Sequence, residues 1–368
     1  MSRKIGIVTL VDNLNYGNRL QNYAVDSIYK RLGAQPVTLV NDVVPPVVKA
    51  KRLVKRLLGR PEEQPCPEKD PRYQLFEKFN APIEFRHVRR WHGLADEFDF
   101  FSTGSDQIWN PYYSLDLRWP FLEFARREQR VALCPSIGIG SIPDEYAKDF
   151  SRGALGFDKL SVRERAGKEI LDGLGCAESV VLADPTVMVE PEEWLRASND
   201  SIVPSEPYVF VYALGESDEG RRRFIQNLAQ GRKVVSLSDH SNEGGVLAGP
   251  AEFIGLIAHA NAVVTDSFHG SVFSMLLDTP LTIVKRLGSG SDLSSRIDTF
   301  VEKFGLERAL FENGGNAVLS AEEKKARLDC ERSKYLSFLS RLFEDEAVSN
   351  LAGSLGLHAS AHEARRDG

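Results

Sequence analysis

The feature that most constrains this chain is a repeated alternation of short apolar runs with amphipathic stretches. Residues 4–10 read Lys-Ile-Gly-Ile-Val-Thr-Leu, a run suited to a strand buried on both faces. A polar turn follows, Asp12-Asn13-Leu14-Asn15-Tyr16-Gly17. Leu20, Ala24, Ile28 and Leu32 then recur every fourth residue, and Gly33 stops the pattern. Strand, loop, helix is the opening unit of a parallel α/β fold. Residues 36–40, 98–103, 130–133, 159–162 and 180–183 read as further strands. The last four run into Gly104-Ser105-Asp106-Gln107, Pro135-Ser136-Ile137-Gly138, Arg163-Glu164-Arg165 and Asp184-Pro185-Thr186. Ligands of open α/β sheets lie beyond the carboxyl ends of strands, so these loops are site candidates on topology alone.

At 368 residues the chain exceeds one ordinary core. A polar, proline-containing stretch at 197–206 interrupts the alternation, which restarts with strands at 208–214, 233–237, 262–265 and 281–284. The expected fold is α/β, with two Rossmann-like domains facing a cleft. An N-terminal domain covers 1–198 and a C-terminal domain 206–345. Ser320 with Glu323 matches a capping box and starts a last helix running to about Phe343. Residues 346–368 are rich in Ala, Gly, Ser and charge, and read as a flexible tail.

Residues 43–71 form an insertion of different character. Val47, Val48, Leu53, Val54, Leu57 and Leu58 make one helical face, and Lys49, Lys51, Arg52, Lys55 and Arg56 the other. Pro61, Pro65, Pro67 and Pro71 then break regular structure. The segment reads as a solvated surface helix. The alternative is contact with an anionic membrane surface or a lipid-phosphate acceptor through 47–58.

Composition narrows the function. The formal net charge is −6, which argues against general nucleic-acid binding. The four cysteines, Cys66, Cys134, Cys176 and Cys330, include no C-x-x-C pair, so neither a zinc site nor a disulfide framework is expected. The apolar run at 5–11 is too short for a signal peptide, and no run nears the ~20 residues of a membrane helix. The expected location is the cytoplasm, at most peripheral to a membrane.

The sharpest constellation is Thr265-Asp266-Ser267-Phe268-His269-Gly270-Ser271, where an apolar strand ends and a helix begins. It would present an imidazole, free backbone N–H groups and a positive dipole end to an anion. A capping or packing histidine is the equal alternative on these residues alone. Asp266-Ser267-Phe268-His269-Gly270 resembles a signature of the polysaccharide pyruvyl transferase family. So do Asn15-Tyr16-Gly17-Asn18-Arg19-Leu20-Gln21-Asn22-Tyr23-Ala24, Gly104-Ser105-Asp106-Gln107-Ile108-Trp109-Asn110, Ser161-Val162-Arg163-Glu164 and Asp184-Pro185-Thr186, in the family's order. The resemblance spans about residues 4–310.

The resemblance implies a glycosyltransferase-B-like arrangement of the two domains. It also implies transfer of a pyruvyl group from phosphoenolpyruvate, the co-substrate, to a sugar, nucleotide-sugar or lipid-linked saccharide, with no cofactor and no metal. It points to Arg163, to His269 and to a basic residue following it, here Lys285; an imidazole at a helix start can do acid or base work, which makes His269 the proton-transfer candidate. Arg286 and Arg296 are further donor-binding candidates, and the sequence does not choose among the three. Ser267 joins the donor set. Asp106 is a candidate base toward an acceptor hydroxyl, or a turn cap. Asn15, Tyr16, Gly17, Arg19, Gln21 and Trp109 are acceptor candidates, Arg19 for an acceptor phosphate and Trp109 for stacking on a sugar, core packing being the commoner fate of a tryptophan. Asn18-Arg19 depart from the small or apolar residues frequent in the family. The rival readings are a nucleotide-sugar-dependent glycosyltransferase of the same architecture and a non-catalytic glycan-binding relative. No Gly-rich pyrophosphate loop supports the first, and the joint presence of His269 and Arg163 argues against the second.

Overall fold

The computed structural model of the chain describes residues 2–11, 14–44, 67–237, 244–288 and 294–357. The basic helix expected at 47–58 lies outside the described residues.

Two parallel sheets form the framework. The first contains β1 (Lys4–Val8), β2 (Gln35–Asn41), β3 (Phe85–Val88), β4 (Phe100–Gly104), β5 (Arg130–Leu133), β6 (Lys159–Val162) and β7 (Val180–Val181). Their order is β3-β2-β1-β4-β5-β6-β7. The second contains β8 (Tyr208–Tyr212), β9 (Lys233–Ser236), β10 (Ala262–Thr265) and β11 (Leu281–Ile283), in the order β11-β10-β8-β9. Among the described residues every pairing between these strands is parallel. Strand order reverses between β1 and β4 in the first sheet and between β8 and β10 in the second. These are the switch points where open α/β sheets bind ligands.

The helices are α1 (Tyr16–Arg31), α2 (Tyr73–Asn80), α3 (Asp144–Ala154), α4 (Arg165–Gly173), α5 (Pro191–Ala197), α6 (Glu219–Ala229), α7 (Pro250–Ala258), α8 (Phe268–Leu276), α9 (Ser294–Phe304), α10 (Ala321–Leu339) and α11 (Asp345–Ser354). Leu20, Ala24 and Ile28 of α1 are fully buried, as their four-residue spacing requires. Full burial of Leu20 or Ile28 contributes about 1.5–3 kcal/mol each. Ser320 Oγ accepts from Glu323 N, and the Glu323 carboxylate accepts from Ser320 N, so the capping box at the start of α10 is made. No helix among the described residues is long and apolar enough to cross a membrane.

Two local expectations change. The strand β3 is absent from the sequence reading because its four residues sit at the sheet edge and are largely half-exposed, without a hydrophobic alternation. The stretch at 346–368 is not a frayed tail throughout. Val348, Leu351 and Ala352 bury one face of α11, and Leu355 follows them into the core. Their three- and four-residue spacing is a helical stripe set among small and charged residues.

One continuous apolar cluster joins the two halves. Tyr16, at the start of α1, stacks on Phe253 of α7 with ring centroids 4.9 Å apart, and its hydroxyl donates to Ala248 O at 3.0 Å. The helix following β1 therefore seats its first residue in the core of the second sheet.

Candidate functional site

The site assembles at the carboxyl ends of strands from both sheets. Asp106 follows β4, Arg163 follows β6, Asp184 follows β7 and His269 sits in the first turn of α8, just after β10. The Arg163 guanidinium lies between two carboxylates. Its Nη1 donates to Asp184 Oδ2 at 2.7 Å and its Nη2 to Asp106 Oδ1 at 3.3 Å. Its flat face lies over the Phe268 ring, 4.5 Å from the centroid, an arrangement lysine could not copy. Arg296 of α9 approaches Asp106 Oδ1 at 3.7 Å. Asn18 of α1 donates to the other Asp106 oxygen across the first switch point. Asp106 and the preceding Ser105 adopt left-handed backbone, φ 50° and 27°, a conformation aspartate tolerates better than most residues.

Asp184 is tied down further. Its Oδ1 accepts from Thr186 N and Thr186 Oγ1 at 3.1 and 2.8 Å, and its Oδ2 from Ser105 Oγ at 3.2 Å. His269 Nε2 stands 3.4 Å from Asp184 Oδ2, at ion-pair distance but without hydrogen-bond alignment. Burial works to raise the Asp184 carboxyl, and the facing His269 and Arg163 outweigh it, holding the group well below the usual carboxylate range. The same contest, with Arg163, His269 and Arg296 on the winning side, keeps Asp106 low. Burial and the like charge of Arg163 bring Arg296 down to about 10, so it remains cationic at neutral pH.

The cluster leaves donors unused. Arg163 Nε, Arg296 Nε and His269 Nε2 are buried and have no hydrogen-bond partner among the described residues. Such groups normally find one, because a buried unpaired donor costs about 1–3 kcal/mol. An anion placed among them would be satisfied by charge and hydrogen bonding together.

The second switch point is built alike. The Asp266 carboxylate, after β10, accepts from Leu214 N and Gly215 N, after β8, at 2.8 and 2.9 Å. Arg286 Nη2 lies 3.5 Å from Asp266 Oδ1, with its Nε unpartnered. Ser267 caps α8, its Oγ accepting from Gly270 N at 3.3 Å.

The sequence candidates divide clearly. Arg163, His269, Asp106 and Arg296 come together, with Ser267 and Arg286 beside them. Lys285 does not join them. Its side chain is 84% exposed and faces Glu312 at 4.0 Å, because at the end of β11 alternate side chains leave opposite faces. Trp109 is fully buried against Phe121, with its N–H donated to Pro120 O, so it has no face for a sugar. Arg19 is also fully buried. Its Nη2 donates to Leu10 O at 2.7 Å and its guanidinium lies over Phe85, leaving it no access to an acceptor phosphate. Gln21 is buried, donating to Thr9 Oγ1 and Asn18 O. Tyr16 is core, and Asn15 is the exposed N-cap of α1, accepting from Asn18 N. Gly17 has a positional reason. A Cβ built there would strike the His269 imidazole, so only glycine lets α1 approach this closely.

Three residues outside the expected set complete the site. Asp184 stands in the Asp184-Pro185-Thr186 motif at a strand end, the signal that could have placed it. Asn18 holds Asp106. Glu164, next to Arg163, accepts from Ile137 N at 2.7 Å, Gly138 N at 2.9 Å and Ser136 Oγ at 3.0 Å, fixing the loop after β5.

The family model of polysaccharide pyruvyl transferase matches residues 15–286. No curated protein sequence matches the chain. Among solved structures, the chain is similar to Arabidopsis thaliana UGT89C1 complexed with quercetin, at 13% identity and a TM-score of 0.44, covering 100% of this chain and 96% of that one. It is also similar to a putative UDP-N-acetylglucosamine 2-epimerase from Listeria monocytogenes, at 12% identity and a TM-score of 0.44, covering 96% and 91%. The family match runs from the loop before α1 to Arg286 and takes in all but Arg296 of the buried cluster: the chain belongs to the polysaccharide pyruvyl transferase family.

Proposed function

We propose that the Arg163–Asp184–His269–Arg296 cluster binds phosphoenolpyruvate and that the protein transfers its pyruvyl group to two hydroxyls of a saccharide, forming a ketal. The observation that carries this reading is the set of buried, unpartnered donors on Arg163, Arg296 and His269, in a chain of this family. Phosphoenolpyruvate brings a carboxylate and a phosphate, and each needs such donors.

The chemistry balances without a further cofactor. The enol methylene takes a proton, and the neighbouring carbon becomes electrophilic. One acceptor hydroxyl adds there, and its proton restores the one that the catalytic imidazole gave to the methylene. Phosphate leaves, a second hydroxyl adds, and its proton goes with the phosphate. His269 is the proton-transfer group at the methylene. Arg163 and Arg296 hold the anionic groups. Asp106 is ionised and fully engaged by Arg163, Arg296 and Asn18, so in this reading it positions the two arginines, and its low basicity makes it a weak acceptor of the hydroxyl proton. The acceptor is a sugar, nucleotide-sugar or lipid-linked saccharide, and the reaction runs in the cytoplasm, where phosphoenolpyruvate is made.

The test is phosphate release from phosphoenolpyruvate, with mass detection of products, across free sugars, nucleotide sugars and lipid-linked sugars. A product heavier than its acceptor by the pyruvyl ketal increment upholds the reading. Transfer of a glycosyl group from a nucleotide sugar, with no binding of phosphoenolpyruvate by calorimetry, overturns it.

A further inference from the structure

A cationic cavity lies apart from the motif cluster. It encloses about 850 Å³ between the edge strand β7 and helices α4, α9 and α10, within the roughly 300–1,000 Å³ range of small-molecule sites. Arg165, Lys168, Lys303, Arg327, Lys334 and Arg341 line it, against the carboxylates of Glu302 and Glu331 among the described lining residues. This is a strong local excess of positive charge in a chain of net charge −6.

The carboxylates do not neutralise it. Buried Glu331 is shared, its two oxygens each 2.5 Å from a lysine, Lys303 and Lys334. Arg165 pairs with Glu302 at 2.5 Å, and Lys168 turns to Asp172 at 2.6 Å. Among the described residues Arg327 reaches a backbone oxygen, Lys303 O at 3.4 Å, and no carboxylate. Arg341 has no carboxylate partner among the described residues.

An independent observation points the same way. Ser179 lines this cavity, is 3% exposed, and its hydroxyl has no hydrogen-bond partner among the described residues. An oxygen-rich anion seated against β7 would satisfy that hydroxyl while the surrounding lysines and arginines balance its charge.

We propose that this cavity is a second anion site, which takes a ligand bearing a diphosphate or a similarly compact pair of phosphoryl groups. None of Asp106, Arg163, Asp184, His269 or Arg296 lines it. Its walls adjoin the segments that carry Arg163, Asp184 and Arg296. Arg165 N donates to Thr299 Oγ1 at 3.2 Å across the cavity wall, and these two residues stand two positions beyond Arg163 and three beyond Arg296 along the chain.

Pyrophosphate titrated into the full chain by calorimetry tests this. The wild type should bind it with an affinity that falls as salt rises. Arg327→Glu/Arg341→Glu reverses two exposed charges and should weaken one equivalent about tenfold or more, with the ligand-free melting temperature unchanged. Ser179→Ala removes an unpartnered hydroxyl and should weaken the same equivalent about fivefold. If the double variant fails to melt cooperatively, Ser179→Ala decides alone. UDP in place of pyrophosphate identifies the source: tighter UDP binding assigns a nucleotide, and equal affinity the phosphoryl groups alone, both upholding the site. No pyrophosphate binding by the wild type, or an isotherm unaltered in Ser179→Ala, overturns it.

Discussion

The first turns of α1 and α8 have the same origin and opposite outcomes. Each follows the carboxyl end of a central strand, β1 and β10. Each is capped by a polar side chain, Asn15 in one and Ser267 in the other. Both are rich in polar residues that point inward. In α1 every one of those side chains has at least one partner within the protein, Asn18 with Asp106, Arg19 with Leu10 O, Gln21 with Thr9 and Asn22 with Thr38, although Gln21 Oε1 has none among the described residues. In α8 the His269 Nε2 faces Asp184 without a hydrogen bond. The two turns meet where Gly17 lies against the imidazole. A helix start of this kind is a scaffold when the group it leaves open is a neutral amide, as at Gln21, and a reactive surface when that group is an imidazole able to exchange a proton. Sequence motifs mark both alike.

The largest effect should come from removing the open group. His269→Ala should lower turnover by about 10²–10⁴-fold in a folded protein, the range of a lost general acid or base. His269→Asn should stay slow, since an amide exchanges no proton at neutral pH. Near-normal turnover of His269→Asn with a raised Michaelis constant would move His269 into the scaffold class.

Arg163→Ala should destabilise the fold by about 3–5 kcal/mol in denaturant titration, because it leaves Asp106 and Asp184 buried without their shared cation. Arg163→Lys should recover only part, as one ammonium cannot span both carboxylates over Phe268. The acid side reports on the same pair. Both carboxyls are held below their unfolded values, so the unfolded chain takes up protons first as pH falls. Their stabilisation is intact above about pH 4–5 and is lost progressively below it. An Asp184→Asn variant with the wild-type acid transition would contradict this.

Gly17→Ala probes the contact between the two turns. Helix propensity favours alanine, yet the added methyl must push His269 aside. Displacing a reacting group by about 1 Å costs on the order of 10²-fold. Turnover should fall by about that factor while the melting temperature holds. A variant as active as the wild type would separate the two helix starts.

Arg19→Met should have the smallest effect, a loss of about 1–3 kcal/mol in stability from the carbonyl left unpaired at Leu10, with the Michaelis constants unchanged. A raised acceptor Michaelis constant at constant stability would return Arg19 to the acceptor-binding role that the motif suggested.

The sequence by itself determined the α/β alternation, the loops at the carboxyl ends of strands, and the residue types that gather there, because these depend on local periodicity and punctuation. Residues 98–103 followed by Gly-Ser-Asp announce a strand ending in a polar turn wherever that strand lies in the sheet. The capping box at Ser320 is equally local, needing only Glu323. Tertiary structure decided which charged residues face one another. Lys285, Arg286 and Arg296 are indistinguishable as cations near a strand end. Only the direction of the chain after β11 and the placement of α9 turn Lys285 to solvent and Arg296 toward Asp106. Arg19 is buried because the short edge strand β3 brings Phe85 over it, and no residue near Arg19 in sequence signals that contact. The helix α11 persists because Val348, Leu351 and Leu355 find the apolar core, whereas their composition alone reads as a tail. Side-chain role in this protein follows from neighbours distant in sequence, and a motif carries the residue to the site without saying whether it is left free there.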